Sequence, residues 1–286
     1  MINKKWHVIA AELLIILTIS SCVSLKEVND YAANSSTGIK KFEDINYSFK
    51  QHCLDKCQFE AVRHFEIKRE PECNCAIYKT ADSVTLLIYN AIKGYFDGLK
   101  NLSANDLTKY DFDALQKALT AGDFGSIKIE EADVKAYGNI SKIISRATTD
   151  LYRMKKIKQY IEEANGPIKV LIGKLQFILQ QNLEKELDFK KEKLYTYYQE
   201  MSHDSTITGY EKGKATIEYY QQLSDIMQKQ KQIDAFAKGL ASISTGHQKL
   251  YDHRNQLTAK ATRELVKQYS SDIQDILSEF NKLKSK

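Results

Sequence analysis

The sequence predicts an all-α protein: an elongated antiparallel bundle of long amphipathic helices, with a small disulfide-stapled helical subdomain towards the N-terminus. Three observations carry this expectation. The chain of 286 residues has only two prolines and twelve glycines, and both residue types interrupt helices. Apolar residues recur at steps of three or four through the second half of the chain, the mark of amphipathic helices. Four cysteines crowd between Cys53 and Cys75 in two closely spaced pairs.

Taken in order, residues 1–21 read as an export signal. Lys4 and Lys5 supply a basic start, an apolar run follows from Leu13 to Ile19 broken only by Thr18, and the small residues Ser20 and Ser21 precede Cys22. These are the parts of a secretory signal peptide, and the run falls short of the ~20 apolar residues that span a bilayer.

Ile19-Ser20-Ser21-Cys22 resembles the lipobox of bacterial lipoproteins: an aliphatic residue, two small residues and the cysteine. Ile19 stands where leucine is commoner. The resemblance covers the first 22 residues and implies that the Cys22 thiol is diacylglycerylated, that the signal is cut before it, and that the new amine is acylated. Two or more acyl chains anchor firmly where one binds marginally. Val23 after the cysteine implies, by the same resemblance, an outer-membrane destination, and with no acidic run behind it the expected face is the periplasmic one.

Residues 22–45 form the expected lipidated tether: polar, weakly patterned, with Asn34, Ser35, Ser36, Thr37 and Gly38 at the centre. Residues 46–128 form the expected short-helix subdomain. A helix around 44–65 carries Cys53 and Cys57, which at i and i+4 share one helix face. Cys73 and Cys75, at i and i+2, share one face of an extended segment. In an exported chain an even number of cysteines reads as disulfides. The preferred pairing is the nested one, Cys53–Cys75 and Cys57–Cys73; sequence alone allows three pairings, and a zinc site of four thiolates is the competing reading, although C-x-C is tight for a zinc knuckle. A helix from Asp82 to Leu102 follows, capped by Asp82 or Ser83, with the stripe Leu87, Ala91, Tyr95, Leu99 and Leu102. A shorter helix is expected at Leu107–Leu119, before a loop at Gly122 and Gly125.

Residues 129–286 form the expected long-helix bundle. The first stripe runs from Val134 to Ala164 and is expected to stop at Asn165-Gly166, with Pro167 starting the next helix. The second runs from Ile168 to Met201, followed by a polar loop over Ser202–Gly213. The third runs from Ile217 to Ile243 and the fourth from Leu250 to Leu283. The break at Ser244–Gly246 is weak, so these two can form one bent helix. Rods of about 30–37 residues measure roughly 45–55 Å at ~1.5 Å per residue. Packed antiparallel, such rods hide their stripes. A coiled-coil hairpin is the alternative, but the stripes are wider than two positions per heptad.

The net charge of +5 is spread among residues of both signs, which reads as a solvated surface and excludes a nucleic-acid partner. The densest basic group, Arg153, Lys155, Lys156 and Lys158, reads as the polar face of a helix. No H-E-x-x-H, Walker-type phosphate loop or G-x-S-x-G elbow occurs. His52, His64, His203, His247 and His253 form no i, i+4 metal pair and are expected at the surface or its boundary. No catalytic residue, metal or cofactor is therefore expected. Tyr195, Tyr197, Tyr198, Tyr219 and Tyr220 fit either core packing or a partner-binding band, because tyrosine pairs an apolar ring with a polar tip. The functional expectation is a membrane-anchored envelope lipoprotein, tethered through its lipid and serving as a non-catalytic scaffold or adaptor for a protein partner. The alternatives are a helical membrane-active, toxin-like protein and an envelope hydrolase.

Overall fold

The computed structural model describes residues 25–67, 72–104, 124, 127–149 and 153–284. Cys22, the signal segment and the expected helix at 107–119 lie outside the described residues. The described residues contain no strand. They form helices α1 Lys26–Lys40, α2 Phe49–Arg63, α3 Ala76–Ala104, α4 Glu131–Thr149, α5 Arg153–Phe177, α6 Glu184–His203, α7 Gly209–Asp252 and α8 Lys260–Lys284, with a 3₁₀ turn at Lys41–Asp44 and a π segment at Ile178–Leu183. These pack as an elongated, mostly antiparallel bundle.

The segment expected as a loose tether is instead structural. Residues 26–40 form α1, whose Val28, Tyr31, Ala32, Ser35, Gly38 and Ile39 are buried. The small polar residues that made it look like a linker let it fit tightly. A Cβ at Gly38 would lie 3.3 Å from Ile243 and 3.4 Å from Ile273. Ser36 bonds Asp97 of α3, and Asn34 bonds Ser270 of α8. Helix α1 therefore lies between α3, α7 and α8.

The boundary expected at Asn165-Gly166-Pro167 does not exist: α5 runs through it. Ile157, Ile161, Ala164, Ile168, Leu171 and Leu175 are all buried and remain in phase across the proline. Burying one large apolar side chain contributes ~1.5–3 kcal/mol. Several of these outweigh the ~3 kcal/mol that an interior proline costs. Helix α4 packs antiparallel along α5. Asp133 meets Lys174 at 2.9 Å near one end, and Arg146 meets Glu163 near the other.

Helices α5 and α6 and the π segment between them form one continuous rod. The π segment buries Ile178, Leu179 and Leu183. Its wider turn re-phases the stripe, so that Leu187 and Leu194 stay inside. Helix α7 passes through Ser244–Gly246 without a break. The turn before α8 falls at 253–259, a segment with neither glycine nor proline, pinned by buried Leu257. Helix α7 runs antiparallel to α5, with Asn165 near Gln248 and Gln176 near Ala237. It also runs antiparallel to α1, with Phe42 near Phe236. The start of α1 thus lies at the end of the bundle farthest from the α6–α7 turn.

The cysteines adopt the nested pairing. Cys53–Cys75 and Cys57–Cys73 have Cα separations of 5.8 and 5.9 Å and staple α2 to the segment leading into α3. Both pairs being oxidised, these thiols are not available to zinc.

Candidate interaction site

Helices α6 and α7 continue past the bundle as a two-helix arm. From residue 199 to residue 225 only Ala215 is buried. From Ile226 to Gly209 the arm extends about 25 Å at the ~1.5 Å helical rise. Its turn is built locally. Asp204 accepts the backbone N–H and hydroxyl of Thr206, which holds its carboxyl below the ordinary range. Thr208 and Glu211 form a capping box that starts α7, and Thr208 likewise holds the Glu211 carboxyl down.

Between the two helices lies a cleft of about 320 Å³, walled by Tyr195, Tyr198, Tyr219 and Tyr220, with Met201 and Ile207 towards the turn and Lys212 at the edge. The rings form a chain of edge and tilted contacts. Tyr198 and Tyr219 centroids are 5.7 Å apart, and Tyr219 and Tyr220 are 5.1 Å apart. Tyr198 is fixed at its tip, donating to Glu218 at 3.4 Å and accepting from Gln222 at 3.2 Å. Burial, followed by the Glu218 charge, raises its pKa. Tyr195 and Tyr220 are 51% and 62% exposed, so half of each ring faces water. The tyrosine groups singled out in the sequence thus divide: Tyr197 packs on Phe59 of α2, while Tyr195, Tyr198, Tyr219 and Tyr220 line the cleft. Aromatic surface with hydrogen-bonding tips suits recognition of another macromolecule.

Two histidines expected at the surface or its boundary are buried, which corrects that expectation. The other three, His64, His203 and His253, are exposed. His247 is 1% exposed. Its Nε2 lies 2.6 Å from the Tyr95 hydroxyl and its Nδ1 3.1 Å from Asn165 Oδ1. Asn165 donates through Nδ2 to Gln248, so its Oδ1 accepts. Nδ1 therefore carries the proton, and Nε2 accepts from Tyr95. Burial pushes the His247 pKa down to about 3 and raises that of Tyr95. This neutral network joins α3, α5 and α7.

His52 is 3% exposed. Its Nε2 donates to Glu186 at 3.0 Å, and its Nδ1 lies 3.2 Å from the Tyr47 hydroxyl. Burial outweighs the Glu186 charge and lowers its pKa. The order Tyr47–His52–Glu186 has the form of a relay from a hydroxyl through a base to a carboxylate. Tyr47, however, is buried, and burial with the charges of Asp55 and Glu186 raises the pKa of its hydroxyl. Together with Lys190–Asp55 at 2.5 Å, the network ties α2 to α6 at the root of the arm. The sequence gives no sign of either histidine, because each is defined by partners far away in the chain.

No helix among the described residues is long and apolar enough to cross a membrane, and no cluster among them is suited to hold a metal ion. No protein-family model, no curated protein and no solved structure matches the chain.

Proposed function

We propose that the protein is a lipid-anchored lipoprotein of the bacterial cell envelope, held by Cys22 at the periplasmic face of the outer membrane, and that it acts as a non-catalytic scaffold which presents the α6–α7 arm to a protein partner. The observation that carries this reading is the half-exposed tyrosine cleft on an arm with almost no buried residue of its own. An arm of this kind gains little stability from its own packing. Its aromatic surface is better explained by what docks on it. The position of α1 supports the reading. Tyr31, near the start of α1, bonds the carbonyl of Ile243. From there the arm's turn lies at the other end of α7, about 50 Å away at the ~1.5 Å helical rise. A chain anchored just before α1 would hold its cleft well clear of the lipid.

The reading is tested by placing a photo-crosslinking amino acid at Gln199, on the cleft, in cells. The expected result is one discrete protein adduct, lost in Tyr195→Ala. Adducts to lipid alone, or an adduct indifferent to Tyr195→Ala, would remove the proposal.

A further inference from the structure

Helix α7 carries two apolar faces. Ile233, Phe236, Leu240 and Ile243 are buried on the face that continues into the arm as Ala215, Tyr219 and Ile226. On a different face Tyr210, Ile217, Tyr220 and Met227 are 77%, 61%, 62% and 44% exposed. Helix α8 packs on α7 next to this second face. It runs antiparallel along α7 from Ile276 beside Gly239 to Leu283, whose carbonyl accepts from Gln228 at 2.7 Å. The exposed stripe begins where that cover stops, and Leu283 shares a groove with Tyr220, Leu223 and Met227. Ala215, Tyr219 and Ile226 face α6 or lie buried, so Tyr210, Ile217 and Met227 lie on the side of α7 away from α6, and Tyr220 stands between that side and the cleft.

The stripe follows a heptad seam. Tyr210, Ile217 and Ser224 hold one core position, and Gly213, Tyr220 and Met227 the other. Its spacing is the same read in either direction. An antiparallel copy of α7, related by a two-fold axis passing between Glu218 and Tyr219, would set Tyr210 against Met227, Gly213 against Ser224 and Ile217 against Tyr220. Large residues meet large residues, and small meet small. Of the flanking residues Lys214, Thr216, Gln221 and Leu223, only Lys214 is charged, while Glu211, Lys212, Glu218 and Asp225 point away from the seam. A two-fold interface requires such self-complementarity. The occupant would end against Leu283, in the last turn of α8.

We propose that this face of α7 is a homodimer interface, the occupant being a second copy of the chain in antiparallel register. Tyr220 borders both the interface and the tyrosine cleft, so each dimer carries two clefts, each edged by the interface. The proposal does not depend on the identity of any partner.

The test is crosslinking of the full chain in intact cells that co-express two differently tagged copies. Ile217→Cys, treated with a short bismaleimide, should give an adduct of twice the chain mass carrying both tags. Asp225→Cys, on the far side of the helix, should give none, and adding Tyr220→Lys to Ile217→Cys should abolish the adduct. These positions are exposed, so the variants keep the fold, which far-ultraviolet circular dichroism checks. No adduct from Ile217→Cys, an adduct with one tag and a different mass, or equal adducts from both positions would overturn the dimer. The Gln199 crosslink reads the partner reading separately.

Discussion

Gly246 of α7 lies directly against the ring of Tyr31 of α1: a Cβ at position 246 would fall 2.5 Å from Tyr31 Cε2. The ring has no room to retreat. Tyr31 is fully buried, its hydroxyl donates to the Ile243 carbonyl at 2.5 Å, and Phe96 packs edge-on at 6.1 Å. Gly246→Ala gains ~1 kcal/mol of helix propensity against ~1–3 kcal/mol for overpacking. We expect a net loss of stability and a fall in Tm of a few degrees. Gly173→Ala, where an added Cβ meets nothing within 4 Å, should raise Tm. Thermal melts of the two variants check both signs.

His247 makes the fold sensitive to acid. An unfolded histidine takes up its proton near pH ~6.5, whereas the folded one resists until about 3. In that window the unfolded chain binds more protons, so stability falls as pH drops. At pH 5 this amounts to roughly 2 kcal/mol at ~1.36 kcal/mol per pH unit. His52, also shifted down, acts in the same direction. Denaturant titrations at pH 7 and pH 5 should show a smaller acid loss for His247→Gln than for the native chain. Equal losses would place the proton-linked step elsewhere.

Asp82 caps a helix other than its own. It sits inside α3, and its carboxylate accepts the Phe49 and Lys50 backbone N–H groups at 2.9 and 3.0 Å. It thereby satisfies orphan donors at the start of α2 alongside Ser48. Asp82→Ala should cost ~1–2 kcal/mol and speed amide exchange in the first turn of α2. Unchanged exchange there would show that Ser48 suffices.

The two disulfides are nested, closing 22- and 16-residue separations. Either alone contributes ~3 kcal/mol in the chain-entropy model. The second closes a loop already shortened by the first, so their effects should not add. Each single removal leaves the other bridge to hold most of the same loop, so removing both pairs by serine substitution should destabilise the chain by more than the sum of the two single removals. Full additivity in urea unfolding would contradict a shared loop.

The fold class and the disulfide pairing were readable because both rest on short-range spacing. The i, i+4 and i, i+2 cysteine pairs face each other wherever a helix meets an extended strand of chain. Helix ends were read less well where local and tertiary signals conflict. Asn165-Gly166-Pro167 carries every local stop signal, yet the buried stripe from Ile157 to Leu175 overrides it. The turn at 253–259 has no local signal and is set by α8 packing back on α7. Helix α1 was hidden because its polar residues Asn34, Ser35 and Ser36 find partners or space among distant helices. Of the site, the tyrosine groups were visible in the sequence. Their sorting between packing and cleft was not, since it depends on α2 reaching Tyr197 and stopping short of Tyr195.

The central claim is that Cys22 holds the arm where its partner is. The most direct measurement compares the Gln199 photo-crosslink in the native chain and in Cys22→Ala, matched for amount, with each chain assigned to the membrane or soluble fraction. We expect the native chain to pellet with membranes and give its adduct, and Cys22→Ala to be released with the adduct largely lost. A native chain found in the soluble fraction, or an adduct undiminished after release, would contradict the account.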